Sequence, residues 1–159
     1  DLGNLLQRVL AMVAKNCEGK TPQPGKFTPE DETILAQSKA LYSSVKAAIE
    51  RQQFHEVLET IWVVIRAANG YVAAMAPWEL RKTDPARMAT VLYVAAEVAR
   101  PIAFLLQPFM PEATAKMLDI LGVPAEHRTF AAINQALVSG TSLPAPAPVF
   151  PRFVEEEVP

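Results

Sequence analysis

FHEVLETIWVVIRAANGYVAAMAPW, residues 54–78, decides the fold. Val57, Leu58, Ile61, Ile65, Ala68, Val72 and Met75 recur at helical spacing, so one stripe of this segment must be buried. Trp62, Val63 and Val64 add apolar groups on other faces, which makes this the most enclosed helix of the chain. Pro77 ends or kinks it, because proline offers no N–H and its ring crowds the preceding turn. A helix so apolar needs several partners, and the flanking sequence supplies them.

Upstream, Asp1 to Cys17 carries Leu2, Leu5, Leu6, Val9, Leu10 and Val13 on one stripe, with Asp1, Asn4, Arg8 and Lys15 opposite. Glu18 to Phe27 holds two prolines and two glycines and reads as a loop. Thr28 followed by Pro29, Glu30 and Asp31 starts a second helix: threonine caps, proline suits the first turn, and acids favour the positive end of the helix dipole. It runs to about Gln53. Downstream, Asp84 and Pro85 repeat the start signal. The helix they open carries Met88, Val91, Leu92, Ala95, Ala99, Ile102 and Leu106, with Pro101 expected to bend it. Glu112 to Leu121 makes a shorter fifth helix ending at Gly122, and Thr129 to Leu137 a weak one. From Pro144 the prolines at 144, 146, 148 and 151 exclude a helix and predict an extended tail. The expectation is an all-α antiparallel bundle of about five helices over residues 1–143, with an extended Pro-rich strap over 144–159.

Composition narrows the function. The net charge of -2 argues against a general nucleic-acid coat protein, though a local contact with one RNA loop needs few cations. The apolar run Tyr71–Pro77 is far short of the roughly 20 residues a bilayer requires, so no membrane partner is expected. Cys17 is the single cysteine, which rules out an internal disulfide and favours a reducing compartment. His55 and His127 lie far apart and lack ligand spacing, there is no Gly-rich phosphate loop, and the acids Glu30, Asp31 and Glu32 sit where capping explains them. No catalytic residue and no metal site are expected.

Two places could do more than fold. Asn4 and Arg8, four residues apart, point the same way from the first helix. An amide beside a planar guanidinium can read base edges, though a solvated helix face carries the same residues by default. Trp78 stands at the helix break, followed by Arg81 and Lys82. Its ring can serve as a stacking platform for a base, or lie under the loop as core.

DLGNLLQRVLAMVAKN at the start resembles the first helix of the anticodon-binding domain of methionyl-tRNA synthetases, with its Leu-Gly-Asn-Leu-x-x-Arg core. ANGYVAAMAPWELRK resembles that family's Asn-x-Tyr-x(5)-Pro-Trp segment, here Asn69, Tyr71, Pro77 and Trp78. RPIAFLLQPFMPEATAKMLDILG and VFPRF look like its later helix pair and closing strap, so the resemblance covers nearly the whole chain in order. It implies a parent enzyme that joins methionine to methionine tRNA with ATP in the cytoplasm. The catalytic nucleotide-binding domain would lie upstream of residue 1, and this chain alone would be inactive and hold no cofactor. It implies that this domain holds the CAU anticodon, with Asn4 and Arg8 reading base edges and Trp78 stacking an unpaired base. Lys15, Arg81 and Lys82 would add supporting basic contacts. Gly70, where some relatives carry a larger or charged residue, and the loop 18–29 depart from the family pattern. In a simple up-down bundle the start of helix one and the end of helix three need not share an end. Convergence then needs helix one to continue upstream, or the loop to reset its direction. The rival readings are the anticodon domain of a sister class I synthetase and a helical protein-interaction module.

Overall fold

The computed structural model describes residues 1–150. Its order is α1 (Leu2–Asn16), α2 (Pro29–Glu50), α3 (Phe54–Met75), α4 (Pro77–Thr83), α5 (Pro85–Leu106) and α6 (Pro111–Ile120). Single 3-10 turns follow at Ala125–His127 and Phe130–Ala132. The five expected helices are present. The seven-residue α4 was not foreseen: the chain resumes a helix directly after the Pro77 break. The weak helix expected over Thr129–Leu137 reduces to the turn Phe130–Ala132, because neighbouring groups claim its backbone. Arg100 Nη1 donates to the Ile133 carbonyl at 2.7 Å, and the Leu137 amide donates to Glu97 Oε2 at 2.9 Å. Residues 144–148 adopt no helix or strand, and the rest of the expected strap beyond Phe150 lies outside the described residues.

α5 is the axis. Every residue from Thr90 to Leu106 is buried, and the helix touches α1, α2, α3, α4 and α6. It continues through Pro101 as one element. Asp84 starts it by accepting the Arg87 amide at 3.0 Å. Each fully buried Leu, Ile or Phe such as Leu92, Ile102 or Phe104 contributes about 1.5–3 kcal/mol of transfer energy. By length and composition alone α5 is apolar enough to cross a membrane, as is the span Phe54–Thr83, which is broken at Ala76. α5's apolar window is 94% buried, however, so its surface is covered by the other helices.

Contacts fix the directions. Ser38 donates to the Val98 carbonyl at 3.1 Å and Asp31 meets Arg87, so α2 and α5 run the same way. Asp31 also meets Tyr71, near the far end of α3, so α2 and α3 are antiparallel. The loop after α1 is fixed rather than free. It forms a bridge from Lys20 to Ser142, with Thr21 N–H donating to the Thr141 carbonyl at 2.9 Å and Leu143 N–H to the Gly19 carbonyl at 2.8 Å. Gly25 N–H then donates to Thr90 Oγ1 at 2.9 Å, tying the loop to α5.

Candidate nucleic-acid interface

α3 stops at Ala76, a non-glycine residue at φ 42°, ψ 60°. An L-residue enters this left-handed region at a cost of about 1–2 kcal/mol, so its surroundings must hold it there. Pro77, buried, then opens α4 at the position where a missing N–H costs nothing. The break throws Trp78 outward: the residue is 39% exposed, neither sealed nor free. The guanidinium carbon of Arg8 lies 5.1 Å from the centroid of that ring. Around them a shallow groove of about 140 Å³ is floored by Val9, Met12, Val72, Pro77 and Leu92.

Convergence needs neither of the two devices anticipated. Asn4 shares a groove with Trp62 and Met110, whereas Arg8 and Met12 share one with Val72 and Leu92. α1 therefore runs parallel to α3 and opposite to α5, and its middle lies level with the end of α3. Arg8 and Trp78 are brought together. Asn4 is exposed one turn away, in the neighbouring groove of about 360 Å³ with Gln7, Trp62 and Phe150. Lys15 is exposed two turns beyond Arg8 on the same side of α1. Arg81 and Lys82 are exposed on the last turn of α4.

Behind this surface lies a network that sequence reasoning passed over. Asp31 belongs to the acidic start of α2, where capping accounts for a carboxylate, and it does accept the Thr28 amide at 3.0 Å. Yet its side chain is fully buried. It also accepts Tyr71 Oη at 2.6 Å and both terminal nitrogens of Arg87, at 2.5 and 2.8 Å. Burial alone would raise its pKa, but the bonds from Arg87, Tyr71 and Thr28 outweigh that and hold it at about 2. The Tyr71 hydroxyl is pushed well above its ordinary value, first by burial and then by its bond to the carboxylate. Asp31 donating nothing and accepting four bonds is the arrangement of a permanent anion. The only hint in the sequence was Tyr71 in the motif with Asn69, since a buried tyrosine needs a partner for its hydroxyl. A second buried pair, Glu97 with Arg100 at 2.6 Å, pins residues 133–137 to α5.

Among the described residues no group of three or more His, Cys, Asp or Glu side chains could hold a metal. Burial raises the Cys17 thiol pKa, which leaves it protonated rather than reactive.

A sequence model of the anticodon binding domain of methionyl tRNA ligase matches residues 21–159. The chain belongs to that family. It is 54% identical to the methionine–tRNA ligase of Brucella suis biovar 1 (strain 1330) over 158 residues, which is 99% of this chain and 31% of that relative. It superposes on the apo methionyl-tRNA synthetase of Mycobacterium tuberculosis with a TM-score of 0.94 at 45% identity, covering 98% of this chain and 32% of that one. The form of the M. tuberculosis enzyme bound by methionyl-adenylate gives 0.92 at 46% identity, with 94% and 30% covered. The chain thus spans about a third of the length of these methionyl-tRNA ligases. Asn4 and Arg8 precede the segment matched by the family model, while the match to the Brucella enzyme extends over nearly the whole anticodon-binding chain.

Proposed function

We propose that this domain grips the CAU anticodon of methionine tRNA, with Trp78 as stacking platform and Asn4 and Arg8 as readers of base edges. The supporting observation is the half-exposed indole of Trp78 with the Arg8 guanidinium at its face. Anticodon loops present unpaired bases, and a protein discriminates among them by stacking and by hydrogen bonds to their edges. The fork of Arg8 donates to carbonyl and ring-nitrogen acceptors, while the Asn4 amide both donates and accepts. A wrong base leaves these groups unpaired and desolvated, which is where selectivity originates. Lys15, Arg81 and Lys82 extend the positive surface toward the phosphates. The parent chain is a cytoplasmic methionine–tRNA ligase whose separate catalytic domain uses ATP to form methionyl-adenylate and passes methionine to the tRNA end. The helix bundle sets the distance between that chemistry and the anticodon.

The test is Trp78→Ala in the full-length enzyme. Loss of one stacking contact lowers kcat/KM for tRNA by about 10- to 100-fold, while methionine-dependent ATP–pyrophosphate exchange is unchanged. An equal fall in both reactions overturns the anticodon reading.

A further inference from the structure

We propose that Asp31, through Tyr71 and Arg87, is the positioning residue that sets the pose of Trp78 for an incoming base. The proposal rests on the anticodon reading above and deepens it.

Trp78 sits on α4, which packs on α5 through the buried Pro77 and the half-buried Leu80, so its pose follows the two helix ends it joins. α4 is seven residues long, and it leaves α3 through the left-handed Ala76. A short helix on a strained joint can swing unless both ends of the segment are anchored. Asp31 anchors both. On the upstream side Tyr71, in the last turns of α3, donates to Asp31 Oδ1 at 2.6 Å. On the downstream side Arg87, in the first turn of α5, donates to both oxygens. The same guanidinium spans the gap between elements: its Nη2 reaches Thr28 Oγ1 at 3.3 Å and Met75 Sδ at 3.5 Å, the latter one residue before the joint. One buried carboxylate therefore fixes the two helix ends between which the ring is carried.

The chemistry favours a rigid device. A bidentate arginine fork on a carboxylate admits one planar arrangement, so α5 cannot rotate against α2 without breaking two bonds. The low pKa of Asp31 keeps the anion, and with it the acceptor of the Tyr71 hydroxyl, in place across the physiological range. Holding the ring before tRNA arrives removes part of the ordering cost of binding.

The experiment uses the full-length enzyme with Asp31→Asn, Tyr71→Phe and Trp78→Ala. Asp31→Asn raises KM for tRNA about 10-fold and Tyr71→Phe about 3-fold, with kcat and methionine activation near wild type. In tRNA-free enzyme carrying 5-fluorotryptophan, the fluorine resonance lost in Trp78→Phe identifies Trp78. It shifts or broadens in Asp31→Asn, and less so in Tyr71→Phe. A brace that merely stabilises the bundle would lower the melting temperature but leave that resonance and the tRNA KM unmoved well below melting, and this result overturns the proposal. Should Asp31→Asn fail to fold, Tyr71→Phe supplies both measurements, and an unmoved resonance with an unmoved KM overturns the proposal there too. If Trp78→Ala itself leaves KM for tRNA unchanged, the anticodon reading is what fails. If Trp78→Ala raises it and both other variants do not, only the positioning role fails.

Discussion

Arg8 stands over Trp78, its guanidinium carbon 5.1 Å from the ring centroid, so a cation covers an indole face on which a base would stack. The two groups proposed to read the anticodon thus contact each other when it is absent. A base must slide onto the opposite face or displace the arginine, and in either case the two residues act as a pair. Arg8→Lys keeps the charge but loses the planar fork and its stacking. It should weaken tRNA binding about 5- to 10-fold in the wild-type background and much less in Trp78→Ala, a coupling of about 1 kcal/mol. Filter binding at fixed salt on the four members of the cycle measures this. Strictly additive losses would show two independent contacts.

Much of the fold was legible because it depends on period and punctuation. The stripe from Val57 to Met75, the Thr28-Pro29 and Asp84-Pro85 starts and Gly122 all act within a few residues, where local sterics decide. What escaped depended on distance along the chain. α4 forms because the bundle holds Ala76 in a conformation its own sequence does not favour. Asp31 looked like one acid of three at a helix start, yet it is the one turned inward toward Tyr71 and Arg87, 40 and 56 residues away. The site divided in the same way. Asn4 and Arg8 were paired by helical spacing, and their side of α1 was correctly read as polar. The meeting of Arg8 with Trp78 required the parallel alignment of α1 and α3, which no single segment encodes.

Acid should find Asp31 late and then cost the bundle steeply. Its folded pKa of about 2 lies below the usual value of 3.8, so the ionised carboxylate favours the folded state. That contribution, about 2 kcal/mol, is complete above roughly pH 4 and is lost as the pH falls from there toward 2. Urea titrations of the chain between pH 5 and 2.5 should show this loss in the wild type. Asp31→Asn should be less stable at pH 5 and flatter through the acid range. Parallel curves for the two proteins would mean that Asp31 is not the group responsible.

Glu97 and Arg100 should behave as an inseparable buried pair. Arg100 also satisfies the Ile133 carbonyl and Glu97 the Leu137 amide. Arg100→Met strands a carboxylate in the core and should cost about 3–5 kcal/mol. Glu97→Gln in the same chain removes the stranded charge and should restore part of that loss, although the Ile133 carbonyl remains unpaired. Denaturant midpoints of the two variants decide it, and a double variant less stable than Arg100→Met would contradict the argument.

Two helix ends share one backbone solution but were given different residues. After α6, Gly122 at φ 70° lets its own N–H donate to the Asp119 carbonyl at 3.0 Å and Val123 N–H to the Leu118 carbonyl at 2.9 Å. After α2 the same pattern is made by Gln52 at φ 59°, with bonds to the Ile49 carbonyl at 2.8 Å and from Gln53 to the Ala48 carbonyl at 2.9 Å. Gly122→Ala incurs the left-handed penalty and also places its Cβ 2.7 Å from Leu143 Cδ2 and 3.2 Å from Thr141 Cγ2. Those residues belong to the segment bridged to the loop after α1, so they cannot retreat freely. The loss should reach about 2 kcal/mol or more. Gln52 is exposed, so Gln52→Gly removes the penalty and loses no buried contact. It should gain about 0.5–1 kcal/mol, the relief being offset in part by the freer unfolded chain. Thermal unfolding of the two variants should therefore move in opposite directions, and a shift of the same sign in both would show that backbone handedness does not govern these ends.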